Sequence, residues 1–230
     1  MASHLGEQIK QTFIEKFNES PILVSSPGRI NLIGEHTDYN EGFVLPAAID
    51  KYIYAGVSGS KSNVCTLYAY DNDETYQFHL DDIKPLSSAS WVNYVIGVVA
   101  EIIKKGKAIE PFNMVFGGNI PHGAGLSSSA ALENSIVFAL NVFFKLELTK
   151  LEMIKISQMA EHNYVGVKCG IMDQYASMFG VKEHALFLDC RTLEAKPLKV
   201  DFKGYKIVLI NSNVKHNLAE NEYNAVSYTH

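Results

Sequence analysis

The segment at residues 117–133 reads GGNIPHGAGLSSSAALE, and it decides how the rest of the chain is interpreted. It follows a strand-like run at 112–116 and leads into an apolar stretch with helical spacing. Gly123 and Gly125 allow a positive φ and a close approach of the backbone to a ligand. The three serines suit the start of a helix, whose free N–H groups and positive dipole end attract anions. The segment predicts a phosphate-binding loop, and a plain glycine turn with a serine cap is the alternative. No Gly-Lys-Ser/Thr ends the loop, so it is not a Walker A loop.

A second segment, at residues 26–39, reads SPGRINLIGEHTDY and concentrates charged and polar side chains. It presents Arg29 and then Glu35, His36 and Asp38 within four positions. Carboxylates accept hydrogen bonds from hydroxyl groups, and a buried hydrogen-bonding group left unmet costs about 1–3 kcal/mol. This pattern favours a site for a polyhydroxylated ligand. A solvated polar loop is the alternative.

A third segment, at residues 169–178, reads CGIMDQYASM and contains one carboxylate, Asp173. Aspartate is rarely buried among apolar and small residues unless it has a partner. Asp173 is therefore a candidate catalytic group, and a helix cap near Gly170 is the alternative.

The remaining sequence alternates between strand-like and helix-like runs without a strict strand–helix–strand order. Helical spacing is typical of residues 5–18, 91–104, 127–145 and 151–163. Short β-branched and aromatic runs predict strands at 22–24, 42–48, 52–57, 64–70, 75–80, 112–116, 185–188 and 207–210. This mixture predicts the α+β class.

The bulk composition is that of an ordinary globular protein. The chain has 230 residues, 47% of them hydrophobic and 20% charged, with a net charge of −5. Such a balance favours neither a nucleic-acid arm nor a membrane-binding patch. The three cysteines include no CxxC pair, so we expect neither disulfides nor a zinc site. The N-terminus lacks a signal-peptide pattern and no apolar run reaches about 18 residues, so we expect a soluble cytoplasmic protein.

Taken together and in this order, the three segments resemble the galactokinases, members of the sugar, homoserine, mevalonate and phosphomevalonate (GHMP) kinase superfamily. The galactose signature stands unbroken at residues 28–39, and the resemblance continues to about Tyr223. It implies a GHMP kinase N-terminal domain of the ribosomal protein S5 domain 2-like fold over residues 1–203. It also implies that residues 204–230 begin a ferredoxin-like C-terminal domain. Because the family is longer and the sequence from Ala225 departs from it, we expect a truncated chain whose own activity is open.

The resemblance also implies a role for individual residues. Arg29 and Asp173 correspond to the catalytic pair. The implied sugar-binding residues are Glu35, His36, Thr37, Asp38, Gly170, Asp173 and Tyr223. The implied ATP phosphate loop comprises Gly123, Ala124, Gly125, Leu126, Ser127, Ser128 and Ser129. Ser129 and Glu161 correspond to the magnesium-binding positions.

The implied reaction is ATP-dependent phosphorylation of α-D-galactose at the C1 hydroxyl, with Mg²⁺. The expected partners are galactose and ATP, with no nucleic acid, membrane or obligate protein partner. Two alternatives stay open: a kinase for a related sugar such as N-acetylgalactosamine, and a non-catalytic or ligand-sensing galactokinase-like protein. Whether Asp173 is a true base or orients the hydroxyl also stays open.

Overall fold

A computed structural model describes residues 4–87, 90–121, 123–201 and 203–210. The helices are α1 (His4–Phe17), α2 (Trp91–Lys104), α3 (Ser128–Phe144), α4 (Lys150–Ala160) and α5 (Met172–Phe179). The strands are β1 (Ile22–Asn31), β2 (Phe43–Val44), β3 (Pro46–Gly59), β4 (Cys65–Ala69), β5 (Glu74–Phe78), β6 (Phe112–Gly118), β7 (His184–Asp189) and β8 (Glu194–Lys199). A 3-10 turn (Asp38–Asn40) and a π-helical turn (Glu161–Val165) complete the set.

Five strands form the main sheet in the order β1-β3-β6-β4-β5. All neighbouring pairs are antiparallel except β4 and β6, which are parallel and are connected through β5 and α2. Strands β2, β7 and β8 form a second, antiparallel sheet.

Helices cover the main sheet on both faces, because the side chains that alternate along β6 are buried on each face. Met114 and Phe116 belong to the large core under α2 and α3, whereas Val115 between them packs with Ile9 and Phe13 of α1. Successive side chains of a strand point to opposite faces, so one strand supplies both cores. The second sheet packs on α5 through Leu186 and Leu188.

Local capping signals explain where two of the helices begin. Ser90 caps α2 by accepting the N–H of Val92. Thr149 and Glu152 form a reciprocal capping box at the start of α4. These caps fix helices whose apolar faces then close the core over the sheet.

The α+β class is confirmed, and several individual elements differ from expectation. The predicted strand at 42–48 is divided into β2 and β3, which belong to different sheets. Helix α5 and strand β8 were not predicted. Strand β8 reads EAKPLK, which has low strand propensity and a proline tolerated near a sheet edge.

The strand expected at 207–210 is wrong for the described residues, because residues 205–210 have neither helix nor strand assigned. Ile207, Val208 and Ile210 are exposed there. Strand propensity alone does not make a strand without a neighbouring strand to pair with. The boundary at 203/204 stays a prediction, and Tyr223 lies outside the described residues. Among the described residues, no helix has the length and apolar character needed to cross a membrane.

Candidate active site

Arg29 and Asp173 form an ion pair that joins two segments far apart in the chain. Nε and Nη2 of Arg29 lie 2.7 and 2.6 Å from Oδ1 of Asp173. The Arg29 side chain is 12% exposed and that of Asp173 is 28% exposed. The carboxylate is thus held in place and is still reachable by a ligand.

The backbone of β1 explains how Arg29 reaches this position. The register of β1 against β3 shifts between Pro27 and Arg29, which is a bulge. Bulges redirect side chains and are common beside active sites. At Gly28, a Cβ would lie 2.8 Å from the carbonyl oxygen of Leu126, so only glycine allows this approach.

The glycine-rich loop is attached directly to Arg29. Nη1 of Arg29 donates to the carbonyl of Gly125 at 2.6 Å, and the Arg29 N–H donates to Leu126 at 3.1 Å. Gly123 and Gly125 both have a φ of +68°. No neighbouring atom would obstruct a Cβ at either position, so the left-handed backbone conformation is the reason for glycine there.

Ser127, at the start of α3, bonds to Asp173 instead of capping the helix through its side chain. Ser127 is the residue before α3, with a φ of +57° and no capping hydrogen bond from its side chain. Its hydroxyl instead donates to Oδ2 of Asp173 at 2.6 Å. Ser127 therefore does not provide the serine cap of the alternative interpretation. Strained backbone of this kind is typical of functional sites, and here it directs a hydroxyl at the carboxylate.

Ser129, in the first turn of α3, lies beside Glu161. Glu161 is 4% exposed and opens a π-helical turn that follows α4. Burial raises the pKa of Glu161, and hydrogen bonds from Cys169, Ser129 and Gln174 oppose that rise. Sγ of Cys169 and Nε2 of Gln174 both donate to Oε2, at 2.6 and 3.2 Å. A π-turn is a frequent device for placing a functional side chain.

Positions 35–38, here called the sugar loop because the family resemblance implies sugar binding there, form mostly local side-chain contacts. Asn31 donates to Oε1 of Glu35 at 3.1 Å, and the ring of His36 bonds to the hydroxyl of Tyr39. The Thr37 hydroxyl is directed at two backbone carbonyls, at 2.8 and 2.9 Å. Glu35 and His36 are exposed, so their side chains are accessible from outside this turn.

Asp38 is the sugar-loop residue that reaches the third segment. A Cβ on Gly170 would collide with the carboxylate of Asp38, so the two residues are packed against each other. Burial and then the charge of Asp173 raise the pKa of Asp38, opposed by N–H groups of Tyr39, Met172 and Asp38 itself. The group is therefore a carboxylate held close to a second carboxylate.

A cavity of about 540 Å³ borders Asp38 and Gly170. Its wall includes Lys155, His162 and Lys168, but neither Arg29 nor Asp173. It therefore opens beside Asp38 and Gly170 rather than over the ion pair of Arg29 and Asp173.

The structure thus brings together Arg29, Asp173, Gly125 and Ser127 by direct hydrogen bonds. Ser129 with Glu161, and Asp38 with Gly170, form two adjacent pairs. Glu35, His36 and Thr37 lie on the same turn, and the side chains of Glu35 and Thr37 hydrogen-bond within that turn and its flanks. Sequence reasoning missed Gln174 and Glu133, although both stand inside the quoted segments; a polar residue at a core-facing helix position is the signal for them.

Comparisons with known proteins agree with this geometry. Residues 93–181 match the family described as GHMP kinases N terminal domain, and residues 11–59 match the galactokinase galactose-binding signature. A galactokinase from Thermosipho africanus is 48% identical over 201 residues, covering 87% of this chain and 55% of that protein.

Two solved structures extend the comparison. A galactokinase from Lactococcus lactis, complexed with galactose, superposes with a TM-score of 0.89 at 35% identity, covering 96% of this chain and 58% of that one. The mevalonate kinase of Methanococcus jannaschii superposes with a TM-score of 0.68 at 20% identity, covering 80% and 58%, and shows the shared fold.

The fold and the loop at the start of α3 define the N-terminal domain of a GHMP kinase. Within that class, the signature and the relatives identify the chain as a member of the galactokinase family, corresponding to its N-terminal part. The chain spans a little over half the length of the curated relatives it matches, 55% in the case of the Thermosipho protein.

Proposed function

We propose that this chain supplies the sugar-binding and phosphate-binding half of an enzyme that transfers the γ-phosphoryl group of ATP to the C1 hydroxyl of α-D-galactose. The observation that carries the proposal is the Asp173 carboxylate, fixed by Arg29 on one oxygen and Ser127 on the other, at the edge of the glycine-rich loop. The likeness to a galactokinase complexed with galactose supports this choice of sugar.

The loop from Gly123 to Ser129 would hold the phosphates of ATP. Its two glycines keep the loop free of side-chain bulk, and α3 begins directly behind it. The unpaired N–H groups of the first helical turn and the positive end of the dipole favour an anion at this position. Arg29 would compensate negative charge on the group in transfer, because its guanidinium is already fixed on the loop through Gly125.

Ser129 and Glu161 fit a Mg²⁺ ion that arrives with the nucleotide. They offer one hydroxyl and one carboxylate in mutual contact, and Mg²⁺ in kinases uses one or two protein oxygens together with phosphates and water. No group of three or more His, Cys, Asp or Glu residues suited to a metal occurs among the described residues, so the fit is to a nucleotide-bound ion only. When bound, the ion would neutralise charge on the phosphate oxygens.

Galactose would lie between the sugar loop and Asp173. Glu35, His36, Asp38 and the backbone near Gly170 are the groups that would accept and donate hydrogen bonds to its hydroxyls, and Thr37 and Tyr223 complete the proposed set. Asp173 would accept the proton of the C1 hydroxyl as the bond from that oxygen to the γ-phosphorus forms. The bond from the γ-phosphorus to the bridging oxygen breaks, and ADP leaves.

A cytoplasmic location belongs to the same proposal. ATP is the phosphoryl donor, and Cys65, Cys169 and Cys190 are free thiols, which suits a reducing compartment.

The test is an ATP-dependent phosphorylation assay with galactose as acceptor and the product identified by phosphorus NMR. It is run on the 230-residue chain and on a chain completed to the length of its relatives. We expect galactose 1-phosphate from the completed chain, and the result for the shorter chain shows whether this half acts alone. A parallel assay with N-acetylgalactosamine distinguishes the related-sugar alternative. A folded, completed chain that phosphorylates neither sugar would make the proposal wrong.

A further inference from the structure

Glu133 is a fully buried carboxyl group that the proposed mechanism does not use. It lies on α3 and is 0% exposed. Within the described residues, neither of its carboxyl oxygens has a hydrogen-bond partner. Burial, followed by the charge of Glu161, raises the pKa of Glu133 well above its usual value. A buried ionised carboxylate without a partner is very costly, so the group is a neutral acid with an O–H to donate.

Gln174 lies beside Glu133, and its side-chain oxygen lacks the hydrogen-bond donor that a neutral Glu133 could supply. The Gln174 side chain lowers the pKa of Glu133, against the effect of burial, which places its amide next to the carboxyl group. Gln174 is also 0% exposed, and its Oε1 has no donor within the described part of the chain. Its Nε2 is directed at Oε2 of Glu161, at 3.2 Å. The amide is therefore oriented with its oxygen still requiring a donor.

The backbone around this pair is fixed by a second set of buried bonds. Nδ2 of Asn134 donates to the carbonyl of Gln174 at 2.9 Å, and the Ser157 hydroxyl donates to Oδ1 of Asn134 at 2.9 Å. These contacts tie α3, α4 and α5 together. The backbone of Gln174 is thus set by its neighbours. Its side-chain amide is held at Nε2 by Glu161, and Oε1 is left for a donor.

We propose that Glu133 and Gln174 are a positioning pair: the neutral Glu133 donates its O–H to Oε1 of Gln174, and this holds the Gln174 amide on Glu161. The pair satisfies two buried polar groups with one hydrogen bond. It also fixes the Glu161 carboxylate beside Ser129. The inference rests on the proposed function, in which Glu161 and Ser129 hold the nucleotide-bound cation.

The test measures cation affinity rather than turnover alone. Mn²⁺ replaces Mg²⁺ in the completed chain with a non-hydrolysable ATP analogue, and free Mn²⁺ is followed by electron paramagnetic resonance. Glu133→Leu removes the donor and Gln174→Met removes the amide, with little change in size. We expect both variants to weaken Mn²⁺ binding about 10- to 100-fold, as loss of outer-shell partners does. Galactose binding measured by calorimetry is expected to stay as in the unmodified chain.

Two further variants separate positioning from folding. Glu133→Gln keeps a neutral donor for Oε1 of Gln174, so it is expected to retain Mn²⁺ affinity. Ser135→Ala is the matched control, because Ser135 is equally buried on α3 but its hydroxyl donates to the carbonyl of Leu132 in its own helix. It is expected to leave Mn²⁺ affinity unchanged.

Infrared spectroscopy tests the donor itself, even if Glu133→Leu fails to fold. The unmodified chain is expected to show a carboxylic C=O stretching band that disappears in Glu133→Gln. Absence of that band, or unchanged Mn²⁺ affinity in folded Glu133→Leu, would overturn the inference. These outcomes are separate from the proposed function: a chain that phosphorylates galactose normally can still contradict the pair, and a chain that binds Mn²⁺ through the pair can still fail to phosphorylate galactose.

Discussion

The catalytic side and the sugar-loop side of the candidate site are built in opposite ways. Arg29, Ser127 and Asp173 come from three separated segments and are bonded to each other across 144 and 46 residues of sequence. The side chains of Glu35 and Thr37 are instead bonded mainly within their own turn, to partners one to six residues away. The first side is fixed by the whole fold, and the second by local turn geometry. We therefore expect mutations on the first side to affect turnover and mutations on the second to affect sugar binding.

The largest effect is expected from Asp173→Asn, which tests whether the two sides are separable. The substitution removes the anion that Arg29 and Ser127 hold and the proposed proton acceptor. Turnover should fall about 10²- to 10⁴-fold, the usual contribution of a positioned acid or base. Galactose binding, measured by calorimetry, should remain. Near-normal turnover in this variant would remove Asp173 from the mechanism.

Gly170→Ala is expected to have the opposite effect, with a large loss of galactose binding. Its Cβ would strike the Asp38 carboxylate, which must move. A sugar bound as proposed would then lose a fixed hydrogen-bond acceptor. The loss of galactose affinity should correspond to about 1–3 kcal/mol, the cost of a buried polar group left unmet. Binding of an ATP analogue should be unaffected, because the nearest atoms to the added Cβ all belong to Asp38 and none to the loop at 123–129.

Gly106→Ala is the matched control for Gly170→Ala. Gly106 lies in a surface turn with a φ of +76° and nothing near its Cβ, so only backbone strain is added. It should lower stability slightly and leave galactose affinity unchanged. Equal loss of affinity in both variants would show that the effect on sugar binding is general rather than local to Asp38.

A smaller effect, on stability, is expected from Asp38→Asn. Burial and the charge of Asp173 raise the pKa of Asp38 above its ordinary value of 3.8. Between 3.8 and the higher value in the folded state, the folded chain binds more protons, so the free energy of unfolding falls as the pH rises through this window. Above the window, Asp38→Asn should therefore have a higher melting temperature than the unmodified chain, measured without sugar.

The pH series supplies the control for Asp38→Asn. Below pH 3.8 the Asp38 carboxyl is protonated in both states, and the difference in melting temperature should vanish. A stabilisation of Asp38→Asn that persists unchanged at low pH would contradict an electrostatic origin. A variant more stable and less able to bind galactose would also show that this side of the site is kept strained for binding.

The sequence predicts those parts of the site in which the residue type alone indicates the role. Gly123 and Gly125 can be predicted as loop residues, because a backbone with φ > 0 favours glycine. Asp173 can be predicted as a site residue, because it is a lone carboxylate in an apolar run. The α+β class follows from element order. The direct bond between Ser127 and Asp173 is not readable, because it depends on the packing of α3 against α5 and on a strained backbone at Ser127.

Other features depend on tertiary structure in the same way. The π-turn at Glu161 cannot be read from residues 151–163, which have an uninterrupted helical pattern. Strand β8 exists because β7 offers a partner, whereas residues 207–210 have better strand propensity and no partner among the described strands. Glu133 could have been singled out, since it stands four residues from both Ser129 and Val137 on the face of α3 that enters the core.

The smallest effect is expected from Thr37→Val, which tests whether Thr37 supports the turn or also binds the sugar. Valine keeps the branched shape but removes the hydroxyl that donates toward the carbonyls of Gly34 and Phe43. We expect a loss of stability of about 1 kcal/mol, typical of one hydrogen bond, from urea unfolding. Thr37→Ser keeps the hydroxyl and is the matched control for that loss. If Thr37 also binds galactose, as the family resemblance implies, galactose affinity will fall in Thr37→Val beyond what the stability change accounts for. Unchanged affinity would assign Thr37 to the turn alone, and the sugar loop would then bind its ligand through Glu35, His36 and Asp38.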